Sequence, residues 1–138
     1  MEPLEGIARA DEHLGRAVPL PAAALPLGRW TEVFADGPGT VEVVWNLDDT
    51  RDGAPGRLAL RVSLQPSVTQ LADAAVEQLT IGGADAQRRS APLAQAQPSL
   101  RPVTEVQWQD PGGLYLRLTA QGPWEAGTLL AVAASMSG

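Results

Sequence analysis

The chain has 138 residues, 44% of them hydrophobic, no cysteine and a net charge of −6. This length predicts one domain with its own core, which removes roughly 68% of the unfolded chain's surface from water. The composition excludes disulfides and thiolate chemistry, and the scattered arginines, of which only Arg88 and Arg89 are adjacent, argue against nucleic acid as a partner.

The first 28 residues predict a helix followed by an extended segment. Within residues 1–15 the helix begins near Pro3, which suits a first helical turn, and ends at Gly15, which suits the position after the last turn. Residues 16–28 are rich in proline, which disfavours helix, so we expect them to lie as a strap across the fold.

Residues 29–120 predict an antiparallel sheet of six to seven strands, because apolar and polar residues alternate between turn signals. The turn signals include Asp36-Gly37-Pro38-Gly39 and Gly82-Gly83. Between the strands we expect a loop over 48–56, a short helix over 67–75 and a surface connector over 92–102. A final helix over residues 123–136 carries a stripe of apolar residues at helical spacing.

Two segments of the sequence resemble each other, and each predicts a pair of strands. Glu42–Asn46 recurs in kind as Glu105–Gln109, and Leu58–Gln65 recurs as Leu114–Gln121. The echo predicts that Trp45 and Trp108 occupy equivalent places on two related hairpins. It also predicts that Glu42 lies near Arg61, and Glu105 near Arg117, on a face of the sheet that contacts solvent.

These elements predict a single α+β domain over residues 1–138. Its architecture is a curved antiparallel sheet with the N-terminal and C-terminal helices packed on one face.

Read in order, several segments together resemble a bacterial domain of unknown function found in anti-sigma-factor-like and lipoprotein-carrier-like extracytoplasmic proteins. The matching segments are Ala8–Asp11, Pro19–Gly28, Val41–Trp45, Ile81–Ala86, Val106–Trp108, Gly113–Leu116 and Leu129–Met136. The resemblance implies a curved sheet with flanking helices and a sensory or ligand-binding role at the cell surface. It supplies no catalytic residues, and this chain departs from the family in lacking a membrane anchor and a lipobox cysteine.

No set of residues in the sequence forms a recognisable catalytic or metal site. His13 is the only histidine and lies on the polar side of its helix, where we expect a surface residue. Asp48, Asp49 and Asp52 resemble the start of a calcium loop, but Ala59 stands where a bidentate glutamate is required. The sequence therefore predicts no enzyme, no metal and no cofactor.

Four tryptophans are the sharpest candidates for a binding site: Trp30, Trp45, Trp108 and Trp124. Two interpretations are open. The tryptophans fill volume in the core, or they line the concave side of the sheet and bind a small apolar molecule, a lipid or a protein partner. The alternatives are a small hydrolase-type enzyme that uses the loop carboxylates and a purely structural domain that forms a homodimer or larger homo-oligomer.

The expected cellular compartment depends on whether the sequence is complete or part of a longer protein. Its longest apolar runs fall well short of the ~20 residues that a membrane span needs, and Glu2 and Glu5 stand where a signal peptide is basic. We expect a soluble protein that is cytoplasmic if the sequence is complete, and extracytoplasmic if it belongs to an anchored protein.

Overall fold

A computed structural model describes residues 2–21, 30–46, 57–66, 76–91, 103–121 and 126–136. In these ranges the chain forms an antiparallel sheet of eight strands and two short helices, which confirms the α+β class. The strands are β1 (Glu2–Leu4), β2 (Trp30–Ala35), β3 (Thr40–Asn46), β4 (Arg57–Ser63), β5 (Val76–Ile81), β6 (Ala84–Ala91), β7 (Val103–Gln109) and β8 (Tyr115–Gln121). The helices are α1 (Ile7–Leu14) and α2 (Ala126–Ala134).

The sheet consists of two meanders joined at its centre. Its order is β1-β2-β3-β4-β8-β7-β6-β5, so β4 and β8 pair with each other and β1 and β5 form the edges. Arg61 lies directly opposite Arg117 across the central pair, and Leu60 lies opposite Leu118. The two halves are therefore related by an approximate two-fold axis that passes between these residues.

The predicted strand number of six to seven is too low, because the first residues add an edge strand. Glu2–Leu4 pairs with β2 and is not part of the helix. Gly6 has a φ of 155°, and its carbonyl accepts hydrogen bonds from the backbone N–H groups of Arg9 and Ala10. A proline is tolerated on an edge strand, so Pro3 does not mark a helical turn here.

The first helix ends where the sequence predicts. Gly15 adopts the left-handed conformation with a φ of 83°, and its N–H donates to the carbonyl of Asp11 at 2.9 Å. The Asp11 carboxylate then accepts a hydrogen bond of 2.8 Å from the backbone N–H of Val18. Val18 and Pro19 are buried, so the described part of the strap packs on the domain.

Alternation along the strands divides the sheet into two faces. The apolar face carries a row of directly opposed side chains, Val43, Leu60, Leu118 and Val106, which are fully buried. Buried residues of both helices, among them Leu14 and Leu129, belong to the same core. The opposite face, called the polar face below, carries the row Glu42, Arg61, Arg117 and Gln107.

The two hairpins that echo each other in sequence occupy equivalent places in the sheet. Trp45 and Trp108 are each the second-last residue of their strand, and each lies opposite the second residue of the paired strand, Leu58 in β4 or Leu116 in β8. This confirms the predicted equivalence of the two tryptophans. The echo of the second strands is displaced by two residues, because Leu58 corresponds to Leu116 and not to Leu114. Leu114 instead belongs to the turn, where its N–H donates to Asp110 Oδ1 at 2.8 Å and its carbonyl accepts from the Asp110 N–H at 2.9 Å.

Several predicted segments lie outside the described residues. These are the rest of the strap over 22–28, the loop over 48–56, the helix over 67–75, most of the connector over 92–102 and the residues before α2. In α2, Leu129, Val132 and Ala133 are buried, which agrees with an apolar face at helical spacing. The helix ends at Ala134, two residues before the predicted end, and Met136 is buried just beyond it.

Candidate functional site

The four candidate tryptophans do not form one cluster in the described structure. Trp108 is 6% exposed and lies in the core, and Trp45 is partly buried against the same core. Trp30 belongs to β2, but its side chain lies outside the description, as does the whole of Trp124. Trp108 is thus the candidate whose surroundings can be described in full.

Trp108 lines an apolar pocket between α2 and the β5–β6 hairpin. The pocket, called the Trp108 pocket below, has a volume of about 140 Å³ and apolar walls from Ile81, Ala84, Trp108, Ala133 and Met136. Gly82, Asp110, Pro111 and Ala134 complete its lining. The two glycines of the hairpin turn, Gly82 and Gly83, have φ angles of 56° and 85°. Both angles are positive, and glycine adopts them without strain because it has no Cβ.

The one carboxylate in the lining of the Trp108 pocket is already engaged. Asp110 is buried, and its Oδ1 accepts a hydrogen bond of 2.8 Å from the backbone N–H of Leu114. This contact holds the β7–β8 turn. The side chains of Ile81, Ala84, Trp108, Ala133 and Met136 make most of the lining apolar, so an apolar occupant suits the pocket.

The polar face does not expose its charged residues as predicted. Glu42 lies opposite Arg61 with 3.9 Å between the charged atoms, which confirms that pairing. Glu105, however, lies opposite Thr119 and is diagonal to Arg117. Exposure of the Glu105 and Arg117 residues is 1% and 8%, so the expectation of a solvent-exposed face is wrong for the central strands.

Arg89 and Glu105 form an ion pair that is largely buried. Arg89 Nη1 lies 3.9 Å from Glu105 Oε1, and the exposed fractions of the two side chains are 13% and 2%. Arg89 Nη2 donates to Gln87 Oε1 at 2.9 Å, while Arg89 Nε and Nη1 find no acceptor at hydrogen-bond distance in the described ranges. Gln107 Nε2 donates to Glu105 Oε1 at 2.7 Å.

Asp36 is the one carboxyl group whose pKa is clearly displaced in the described structure. The hydrogen bond from the Arg61 guanidinium lowers the pKa of Asp36 from its usual value of 3.8. Arg61 lies between Asp36 and Glu42 and faces Arg117 across the sheet centre. The two carboxylates therefore offset the repulsion between two adjacent guanidinium groups.

His13 is exposed, as the sequence predicts, and serves a structural contact. Its Nε2 lies 2.7 Å from the carbonyl oxygen of Gly37, and since a carbonyl only accepts, the imidazole donates. This bond ties α1 to the β2–β3 turn. In the described ranges, no three His, Asp or Glu side chains lie close enough together to hold a metal ion. Asp48, Asp49 and Asp52 lie outside those ranges.

Sequence reasoning missed the residues that surround Trp108. Met136 and Ala133 were recognised as parts of the last helix, and Ile81 as part of a strand, but no pattern indicated that they meet. The contact depends on α2 returning to the far edge of the sheet, beside β5. The alternation of Ile81 and Leu79 with polar residues was the only local sign that β5 turns an apolar side toward the core.

Comparisons of the chain with models of protein families, with curated proteins and with solved structures found no match. The resemblance to an extracytoplasmic bacterial domain therefore stays a prediction. Neither described helix has the length and hydropathy needed to cross a membrane.

Proposed function

We propose that this chain is a non-catalytic binding domain that holds a small apolar group against Trp108. The observation that carries the proposal is the Trp108 pocket, where an aromatic ring, an isoleucine, a methionine and three alanines line a volume of about 140 Å³. An apolar protein cavity of about 150 Å³ is large enough to bind benzene. The pocket therefore suits an occupant the size of one aromatic ring.

The size of the pocket favours one class of occupant over the others. Pockets for drug-sized ligands begin at about 300 Å³, so a whole lipid exceeds the Trp108 pocket. A single apolar side chain of a protein partner, or a free molecule of the same size, fits. The sequence predicts a curved sheet with both helices on one face. In that arrangement α2 would have to move away from the sheet for the occupant to enter the pocket.

The resemblance to extracytoplasmic domains extends the proposal to a sensory role. In such a role, occupancy of the Trp108 pocket would change how α2 packs on the sheet, because Ala133 and Met136 of this C-terminal region line the pocket. The same contact would serve a homo-oligomer if the occupant came from a second copy.

Titration with benzene tests the proposal directly. The protein is labelled with 5-fluorotryptophan, and the Trp108 fluorine signal is assigned from its loss in Trp108→Phe. We expect benzene to shift the Trp108 signal in a saturable way. Ala84→Leu fills part of the pocket, so it should weaken benzene binding about tenfold or more, corresponding to about 1.4 kcal/mol of binding free energy.

Ala8→Leu is the matched control, because it adds the same atoms at an exposed position of α1. It should leave the benzene titration unchanged. The proposal is overturned if benzene leaves the Trp108 signal unmoved, or if Ala84→Leu binds benzene as the unmodified protein does.

A further inference from the structure

A second pocket lies on the polar face of the sheet, across strands β5 to β8. It has a volume of about 270 Å³. Its polar lining consists of Gln78, Gln87, Gln107, Gln109, Asp85 and Tyr115. The lining also includes Pro66, Ala86, Trp108 and Leu116. This pocket, called the glutamine groove below, differs from the Trp108 pocket in that its polar side chains project from the opposite face of the same strands.

Three of the glutamines form a row that runs across the strands. Gln78 lies opposite Gln87, and Gln87 lies opposite Gln107. The row therefore crosses β5, β6 and β7 at right angles to the strand direction. Neighbouring strands are about 4.8 Å apart, so the row presents carboxamide groups at a regular spacing of that size.

The buried ion pair fixes the orientation of two of these carboxamides. Arg89 can only donate, so its partner in Gln87 is the carbonyl oxygen, at 2.9 Å. The Glu105 carboxylate accepts, so its partner in Gln107 is the amide nitrogen, at 2.7 Å. Gln87 thus keeps an NH₂ group with two donors, and Gln107 keeps an acceptor oxygen, at directly opposed positions.

This arrangement places a donor and an acceptor side by side before any ligand arrives. Preorganised polar groups cost less to bring together on binding than mobile ones. Arg89 and Glu105 form the neighbouring cross-strand pair on the same face, beside the Gln87–Gln107 pair, and Glu105 is more buried than either glutamine. The charges therefore orient the groove, while the groups that line it are mostly uncharged.

We propose that the glutamine groove binds a neutral oligosaccharide. Adjacent hydroxyl groups of a sugar each donate and accept, which matches the opposed Gln87 and Gln107 amides and the Asp85 carboxylate. The ring of Tyr115 offers an apolar surface for the face of a pyranose. An anion is disfavoured, because Asp85 lines the groove and the chain has a net charge of −6.

The direction of the row favours a glycan over a peptide strand. An extended peptide that adds to a sheet would run along the edge strand β5 and bond to its backbone. The glutamine row instead runs across three strands, away from that edge. A chain of sugar rings that crosses the strands meets the carboxamides one after another.

Nuclear magnetic resonance of the side-chain amides tests the assignment. The full chain labelled with ¹⁵N is titrated separately with maltotetraose, cellotetraose, tetra-N-acetylchitotetraose and a capped hexapeptide of alanine and serine. We expect at least one oligosaccharide to shift the side-chain amide signals of Gln87 and Gln107 in a saturable way. Gln87→Leu and Gln107→Leu should each weaken that binding about three- to tenfold through the loss of hydrogen bonds.

Arg88→Leu is the matched control, because Arg88 is adjacent to Gln87 in sequence and lies on the opposite face, paired with Glu77. It should leave oligosaccharide binding unchanged, and unfolding curves of all three variants show whether they are folded. The proposal is overturned if no oligosaccharide moves the two amide signals at millimolar concentration, if the peptide alone moves them, or if Arg88→Leu weakens binding as much as Gln87→Leu.

Discussion

At the scale of single residues, Trp108 and Trp45 hold equivalent positions in the two hairpins but differ in burial. Trp108 lies opposite Leu116 and is almost fully buried, and Ala133 of α2 lines a pocket together with it. Trp45 lies opposite Leu58 and is only partly buried. Trp108 is therefore a core tryptophan and Trp45 a peripheral one.

Truncating the two tryptophans should show this difference. We expect Trp108→Ala to lower the free energy of unfolding by about 3–5 kcal/mol, as for other buried aromatic side chains. Trp45→Ala should cost less, because less of its surface leaves water on folding. Chemical denaturation measures both values. Equal losses for the two variants would contradict the difference in burial between the two side chains.

Asp36 should make the stability depend on pH in acid. Its pKa is lowered in the folded protein, chiefly by the hydrogen bond from Arg61, so its contribution is complete above the unfolded value of 3.8. The contribution is lost as the pH falls through the folded-state pKa. Because the carboxylate is about a third exposed, we expect Asp36→Asn to cost less than about 1 kcal/mol at neutral pH.

The cost of Asp36→Asn should shrink as the pH falls below 3.8, the unfolded-state value. Denaturant unfolding at a series of pH values measures it. In an Arg61→Met background the same substitution should have no effect at any pH, since the partner is gone. A constant cost across the series would show that the ion pair is not its source.

At the scale of elements, the β5–β6 hairpin carries two ion pairs of very different burial. Glu77 and Arg88 form a pair on the apolar side of the hairpin, where Glu77 is more than half exposed. Arg89 and Glu105 join β6 to β7 on the polar face and are nearly buried. In the buried pair, water cannot take the place of a missing partner. Removing one partner should therefore lower the free energy of unfolding far more than it does in the exposed pair.

Removing one partner from each pair compares them within one hairpin. We expect Glu105→Leu to lower the free energy of unfolding by about 3–5 kcal/mol, because Arg89 then lies buried without its counter-charge. Glu77→Leu should change it by less than about 1 kcal/mol. Thermal or chemical unfolding measures both. Similar costs would mean that Arg89 reaches solvent when Glu105 is absent.

Local patterns in the sequence predicted most of the elements, and contacts between distant segments account for the differences. Alternation predicted an antiparallel sheet over residues 29–120, and β2 to β8 lie between residues 30 and 121. Gly15 correctly marked the end of α1. The edge strand β1 was missed because three residues carry no periodicity, and its pairing with β2 brings together residues about 30 positions apart. The burial of Glu105 and Arg117 was missed because alternation alone predicts a polar face without showing whether that face is solvated.

At the scale of the whole molecule, the sheet presents two different surfaces for binding. The β6 and β7 strands contribute Ala84 and Trp108 to the apolar pocket and Gln87 and Gln107 to the groove on the other face. Trp108 and Gln107 are neighbours in sequence, so one strand serves both sites. Each edge strand of the described sheet carries a residue that disfavours pairing with another strand: β1 contains Pro3, which lacks a backbone donor, and β5 carries the charged Glu77.

Neither site could have been derived from the sequence alone. The four tryptophans drew attention to an apolar site, and Trp108 does line one, but the remaining walls come from α2 and the β5–β6 turn. The glutamine groove was not foreseen, because Gln78, Gln87 and Gln107 become a row only through the registers of two strand pairs.

Diffraction from crystals held under xenon tests the central claim most directly, because xenon enters dry apolar cavities and scatters strongly. The account predicts a xenon atom in the Trp108 pocket, in contact with the side chains of Trp108 and Met136, and its loss from crystals of Ala84→Leu. Xenon bound elsewhere in the domain, with the Trp108 pocket empty or filled by ordered water, would contradict it.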